Sequence, residues 1–197
     1  MFIYSKKKLI MLQCNWISIR SIKKQSGVFR MYYDFLQRHT IICDEGQYVC
    51  FNWNNAMNKF LCYTTVSPTE IALAKERLNS VGYELPEDLE RFWSEVGCGY
   101  LCSNFLADNV LEGPQALLDI YFSEGEWSTL KKQIQLFDEN ELPFLRTSNF
   151  NYITIGIENG VNMGRIYFNG LEIAASLSEF INRLLENPIY YQELQLI

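Results

Sequence analysis

Gly82-Tyr83-Glu84-Leu85-Pro86-Glu87-Asp88-Leu89-Glu90-Arg91-Phe92-Trp93-Ser94-Glu95-Val96-Gly97-Cys98-Gly99 is a helix with both ends marked. Leu85, Leu89, Phe92, Trp93 and Val96 recur at helical spacing and form one apolar stripe. Pro86 sits at the first helical position, where its fixed φ suits the helix and its missing N–H costs nothing. Glu87 and Asp88 follow in the first turn, where negative charge suits the helix dipole. Gly97-Cys98-Gly99 stops the helix. These are structural jobs: Leu85 packs ahead of the helix, and Phe92 and Trp93 bury large apolar area.

Upstream, Ser67-Pro68-Thr69-Glu70 reads as a capping box with proline at the first position. Ile71, Ala74, Leu78 and Val81 then share a face, and Gly82 ends this earlier helix. Before it, residues 31–39 suggest a short helix. Residues 40–43 and 47–53 read as strands around the turn Asp44-Glu45-Gly46. Asn52, Asn54, Asn55 and Asn58 mark a polar loop, and 60–64 is a further strand.

Downstream, 103–113 shows little periodicity and reads as loop. Residues 114–121 and 127–137 are expected helices, and 142–146 an expected strand. Residues 152–158 alternate, with Ile153, Ile155 and Ile157 on one face. Another strand spans 164–168, and Asn169-Gly170 is a two-residue hairpin signal into 171–174. Ser176 and Glu179 suggest a capping box for a last helix, with Phe180, Ile181, Leu184 and Leu185 inward and Asn187-Pro188 at its end. Helices, then antiparallel strands, then a helix make an α+β fold, a mainly antiparallel sheet packed against helices.

The 197 residues are 48% hydrophobic and 20% charged, enough for a sizeable core and unlike a disordered acidic chain. Net charge is −6, but it is uneven. Residues 1–30 carry seven basic residues and no acid, whereas 31–197 carry ten basic residues against 23 acids, a net of −13. Three parts are expected: a basic extension over 1–30, a strand and helix addition over 31–65, and the main domain over 66–197. An acidic body repels nucleic acid and attracts basic partners. A surplus of acid also serves solubility alone.

Six cysteines, Cys14, Cys43, Cys50, Cys62, Cys98 and Cys102, form no CxxC pair. Reduced thiols in a cytoplasmic protein are the expectation. A zinc site from His39, Cys43 and Cys50, or from the loose pair Cys98 and Cys102, is the alternative, but the spacing is irregular. No metal or cofactor is expected. His39 is the sole histidine, and no nucleophile elbow, HExxH, Walker A or GxGxxG run is present. Lys6-Lys7-Lys8 ahead of Leu9-Ile10-Met11-Leu12 resembles a signal peptide only briefly. Polar residues interrupt it, and it is far shorter than a membrane span.

Three segments in order resemble the SMI1/KNR4 (SUKH) superfamily. They are Val66–Leu78; the Gly82–Gly99 stretch, similar to the family's G-x-x-L-P signature through Leu85, Pro86, Phe92, Trp93, Gly97 and Gly99; and Ile166-Tyr167-Phe168 with Ile173-Ala174 leading into Ser176–Phe180. The resemblance covers residues 66–186. It implies an immunity protein that binds a cognate polymorphic toxin, often a nuclease, and blocks it in the cytoplasm without catalysis. Other members of the superfamily act as adaptors, which is the second reading. Contact residues in such a family vary, so none is carried over by motif.

The residues themselves suggest where a partner would sit. Residues 101–150 hold Asp108, Glu112, Asp119, Glu124, Glu126, Asp138, Glu139 and Glu141 against Lys131, Lys132 and Arg146. Tyr121 and Trp127 lie among them as aromatic anchors, with Phe105, Phe122 and Phe137 nearby. A nuclease groove is basic because it neutralises phosphates, and an inhibitor covering it gains by presenting carboxylates. The same acids offer a third reading, a hydrolase using a carboxylate pair such as Glu124 and Glu126. Met31 opens the acidic part of the chain and is a candidate translation start. Residues 1–30 are then either an untranslated stretch of over-extended reading frame or a loose, disordered basic arm. An intact mass of the native protein matching all 197 residues excludes the shorter start.

Overall fold

A computed structural model of the chain describes residues 41–42, 47–51, 60–64, 66–103, 108–125, 127, 137–147 and 151–194. Among the described residues are nine strands: β1 (Ile41–Ile42), β2 (Gln47–Phe51), β3 (Phe60–Thr64), β4 (Cys98–Ser103), β5 (Val110–Leu111), β6 (Glu141–Arg146), β7 (Tyr152–Gly156), β8 (Ile166–Phe168) and β9 (Leu171–Ala174). They form one antiparallel sheet whose spatial order is the chain order. Helices α1 (Pro68–Asn79) and α2 (Glu87–Glu95) lie between β3 and β4, and α3 (Pro114–Phe122) between β5 and β6. Helices α4 (Leu177–Glu186) and α5 (Tyr190–Glu193) follow β9. The α+β expectation holds. The sheet continues without a break from the 31–65 part into the main domain, because β3 pairs with β4 from Thr64 opposite Cys98. The expected helix over 31–39, the turn at 44–46 and the 1–30 extension lie outside the described residues.

The capping box of α1 forms as read: the Ser67 hydroxyl accepts from the Glu70 N–H, and the Glu70 carboxylate accepts from the Ser67 N–H at 2.9 Å. The Ser67 hydroxyl also donates to the Glu70 carboxylate at 2.7 Å, and this bond, aided by the one from the Ser67 N–H, holds the Glu70 carboxyl below its usual value. Ile71, Ala74 and Leu78 are buried as expected. Val81 is not; it lies beyond the helix end, in a turn that carries it out to 47% exposure. The α2 stripe of Leu85, Leu89, Phe92, Trp93 and Val96 is buried throughout. Trp93 also donates its indole N–H to the Glu112 carbonyl at 3.1 Å, which ties α2 to the entry of α3. Gly97 has φ +120°, a conformation that favours glycine, and its N–H returns to the Phe92 carbonyl at 3.1 Å.

Pro86 is the N-cap of α2, one place before the first helical position at which the sequence puts it, and two further sequence expectations need correction. Residues 103–113 are not all loop, because β5 lies among them, and β4 starts directly after α2. Both strands sit mid-sheet, where pairing on both sides sustains strands of low periodicity. The second is the capping box of α4. Ser176 accepts from the Glu179 N–H, but the Glu179 carboxylate accepts from the Ala175 N–H instead of the cap residue. The hairpin at Asn169-Gly170 forms with both φ values positive, as a type I′ turn requires.

Helix stripes and one sheet face share a single core. Leu142, Leu145, Ile153 and Ile155 pair across β6 and β7. A register shift between Pro143 and Leu145 adds Phe144, which meets Phe180 of α4 edge-on, ring centres 5.7 Å apart. The opposite face of the same two strands is buried too. There the Thr154 hydroxyl donates to the Glu141 carboxylate, and Glu141 is only 7% exposed. At the C-terminus, Tyr191 of α5 packs on Phe168 with centres 4.9 Å apart. Its hydroxyl donates to the Asn109 side-chain oxygen at 2.8 Å. The Asn109 amide donates in turn to the Pro188 carbonyl at 2.9 Å. Asn109 is fully buried and so staples the β4–β5 connection to the chain end.

Asn109→Ala removes one side chain and with it a hydrogen bond to each of two buried groups, the Tyr191 hydroxyl and the Pro188 carbonyl. A loss of about 2–4 kcal/mol is expected, read as a lower urea midpoint. Glu141 gives a pH signature. Burial holds its carboxyl above the usual range despite the Thr154 bond, and Asp138 adds to the effect. The folded protein therefore holds this proton more tightly than the unfolded chain. That contribution is complete at pH below the ordinary carboxylate value and is lost as pH rises through the raised value. Glu141→Gln is expected to raise the thermal midpoint at pH 7, with the gain vanishing as pH falls to about 4.

Candidate functional site

The acid-rich segment does not form one patch. Strand β6 runs between two ends of the sheet and separates its members. Asp138 and Glu139 are exposed at the turn before Glu141, where β6 begins. Asp108 is exposed ahead of Val110, which pairs with Arg146 at the other end of β6. Six strand residues place these ends roughly 17–20 Å apart.

At the Arg146 end, sequence neighbours become a cluster. The Glu112 carboxylate meets the Arg146 guanidinium at 3.0 Å, with the Glu112 side chain largely buried. Arg146 faces Tyr152 across the β6–β7 register. Trp127 packs edge-on against the Tyr152 ring, centres 6.2 Å apart. Burial lifts the Tyr152 phenol to about 12, with the Glu112 charge adding to the shift and Arg146 opposing it. Arg146 and Tyr152 are residues the sequence reading did not select. Their signal is the strand register, which appears only once the strands are paired.

Helix α3 holds the remaining group. The Asp119 carboxylate accepts from the Gln115 amide at 2.7 Å, one helical turn away. Glu124 receives the Arg77 guanidinium of α1 at 2.7 Å. That guanidinium also lies over the Phe122 ring, 4.5 Å from its centre. Glu126 and the expected helix body over 128–136 lie outside the described residues, as do Phe105, Lys131, Lys132, His39 and the side chains of Cys14, Cys43, Cys50, Cys62 and Cys102.

Two members leave the contact set. Tyr121 is core: it is 6% exposed, meets Phe122 edge-on at 5.0 Å, and stacks with Phe137 at 6.3 Å. Its hydroxyl donates to the Glu139 carbonyl at 2.6 Å, and burial lifts its phenol to about 12. At helical spacing an aromatic anchor and a core aromatic look the same, and only the neighbouring sheet decides between them. Glu141 is the second, turned inward onto Thr154. The alternation of β6 puts it on the buried face, one residue from the exposed turn.

Charge is distributed to one effect. Every lysine and arginine with a described side chain meets a carboxylate: Lys75 with Glu90, Arg77 with Glu124, Arg91 with Glu87 and Glu95, Arg146 with Glu112, Arg165 with Glu172, and Arg183 with Glu179. These are six cations, against nineteen acids with described side chains, a surplus of thirteen negative charges. Among the described residues no group of three or more His, Cys, Asp and Glu side chains is placed to hold a metal ion. No helix there is long and apolar enough to cross a membrane.

Comparison with known proteins agrees with the residues already named. The chain is 29% identical to Immunity protein YxxD of Bacillus subtilis (strain 168) over 140 residues, which is 70% of this chain and 92% of the relative. No solved structure matches it. Residues 65–183 match the SMI1 / KNR4 family (SUKH-1) and contain every signature residue from Leu85 to Gly99. Matched over well more than half its length, the chain belongs to the SMI1/KNR4 (SUKH-1) family.

Proposed function

We propose that this chain is an immunity protein: it binds a cognate protein toxin in the cytoplasm and neutralises it by stoichiometric occlusion, without catalysis. The observation that carries the reading is the match to an immunity protein across 92% of that relative's length. An isolated shared motif would say less, because a fold alone does not fix a function.

The charge distribution supports a basic partner. With all six described cations already engaged, the outward field is that of the carboxylate surplus. Such a field speeds encounter with a cationic surface and disfavours anionic ones. A nuclease is the toxin class that fits best, since its groove must be basic to hold phosphates. Occlusion asks of the inhibitor a stable shape and a complementary face, and no reactive group.

Two outcomes are expected. The immunity reading expects a toxin gene beside this one; co-expression with the toxic domain it encodes restores growth, and a catalytically silent partner does so only at one-to-one or greater expression. Failure to restore growth with any neighbouring toxin overturns the immunity reading in favour of an adaptor. The dissociation constant of the purified pair, measured by titration calorimetry, rises by about tenfold or more between 50 and 500 mM salt. A flat response leaves apolar packing as the driver and removes the charge argument.

A further inference from the structure

Val161 is the most exposed large apolar side chain among the described residues, at 64%. Its loop, residues 157–165 between β7 and β8, is held by a dense set of hydrogen bonds. The Val161 and Asn162 N–H groups both donate to the Glu158 carbonyl at 3.2 Å. Gly164 N–H donates to the Gly156 carbonyl, and Gly156 N–H to the Arg165 carbonyl, each at 2.9 Å. Asn162 is buried beneath the apex. Its side-chain oxygen accepts from the Glu158 N–H at 3.0 Å, and its amide donates to the Asn140 carbonyl at 3.1 Å. The fit at the base is close: a Cβ on Gly156 would fall 2.0 Å from the Asn162 carbonyl oxygen. An ordered loop thus holds an aliphatic side chain out in water. A group displayed in this way binds without the cost of ordering it.

Two other segments meet this loop. The turn between α1 and α2 joins it through Glu84 N–H to the Ile157 carbonyl at 3.3 Å, and through the Asn159 amide to the Glu84 carboxylate at 3.5 Å. That turn carries Val81, the second most exposed large apolar side chain. The turn before β6 joins it through Ile157 N–H to the Asn140 carbonyl at 3.0 Å, and through the Asn140 amide to the Glu158 carboxylate at 2.9 Å. That turn carries Asp138 and Glu139. One end of the molecule therefore gathers three bonded segments that expose Val81 and Val161 and carry Glu84, Asp138, Glu139 and Glu158. None of the three segments contains a lysine or arginine up to Asn162, and Arg165 beyond it is bound to Glu172.

We infer that this three-segment end is the docking surface for the toxin, with Val161 and Val81 as apolar anchors and the carboxylates as a rim that selects a cationic face bearing an aliphatic patch. The inference rests on the immunity reading and adds the place and chemistry of contact. The opposite end is a poorer fit: Glu112 there is already neutralised by Arg146, and Trp127 is packed on Tyr152. Desolvated carboxylates against partner cations, around a small apolar centre, form the usual pattern of a selective interface.

The test uses the full chain and the toxic domain that the co-expression experiment identifies, with affinity measured by calorimetry and folding by thermal melts. Val161→Arg is expected to weaken binding about 30-fold or more, and Glu139→Lys about tenfold, with melting midpoints unchanged because both side chains are exposed. Asp108→Lys makes the same charge change at the opposite end and is expected to stay within about twofold. Val81→Arg repeats the test on a different segment should Val161→Arg disturb its loop. Wild-type affinity in both valine variants overturns the inference; if Asp108→Lys then fails to bind, the surface lies at the other end and the immunity reading stands. A wild-type chain that neither binds nor rescues overturns both.

Discussion

Strands β6 and β7 are covered on both faces, and this governs how polar groups are placed throughout the molecule. A strand pair buried on one side can send alternate residues to water. Here neither side is available, so polar groups are met from within, although the buried Tyr152 hydroxyl of β7 has no hydrogen-bond partner among the described residues. Thr154 and Glu141 satisfy one another on the second face. Asn109, Tyr191 and Pro188 do so where the β4–β5 connection meets the chain end. Asn140 and Asn162 do so beneath the β7–β8 loop. Each of these joins segments far apart in sequence, so the bonds that keep the centre dry also position the loops.

A dry centre also moves recognition outward. Exposed groups at strand ends and in turns occupy the usual place for function on a rigid scaffold, beside the exposed face of α1 that carries Leu73. The charge pattern follows the same division. Exposed ion pairs contribute little stability singly. Their consistent effect here is to quench positive charge, since each described cation is spent on an acid. The remaining negative field is long-ranged and weakly directional. The exposed valines are short-ranged and local. On the docking reading proposed above, the first brings a cationic partner close and the second decides where it stops.

The fold was legible in the sequence where one local signal sufficed. The capping box at Ser67, the α2 stripe through Trp93, the isoleucine alternation in β7 and the Asn169-Gly170 turn each need only a few neighbouring residues, and each formed. Strands β4 and β5 were hidden because pairing on both sides sustains them. Helix α5 was hidden behind Pro188, where the sequence reads only as an ending. The candidate site was less legible for a related reason. Composition ranked residues 101–150 as acidic, but spacing along a chain does not say which end of a strand a carboxylate occupies. Glu139 and Glu141 differ by two positions, yet one is in water and the other in the sheet. Val161 carried no composition signal; its exposure depends on the buried asparagine beneath it.

A protein that acts by covering another needs a surface that stays the same before and after contact, because any ordering on binding subtracts from affinity. It must also vary that surface between relatives without losing the fold. Both demands are met if the invariant work is done by apolar stripes and internal polar bonds while the loop apices remain free to change. In this chain the side chains at positions 81, 84, 138, 139 and 161 bury little, whereas their backbones are held by bonds to Leu78, Ile157, Glu141, Tyr121 and Glu158 in turn. If this end is the docking surface, as proposed, replacing those side chains changes what it recognises and leaves the bonds that shape it in place. The separation of shape from specificity is therefore a consequence of which atoms do the holding: main-chain and buried amide groups fix the loops, and outward side chains are left to meet the partner.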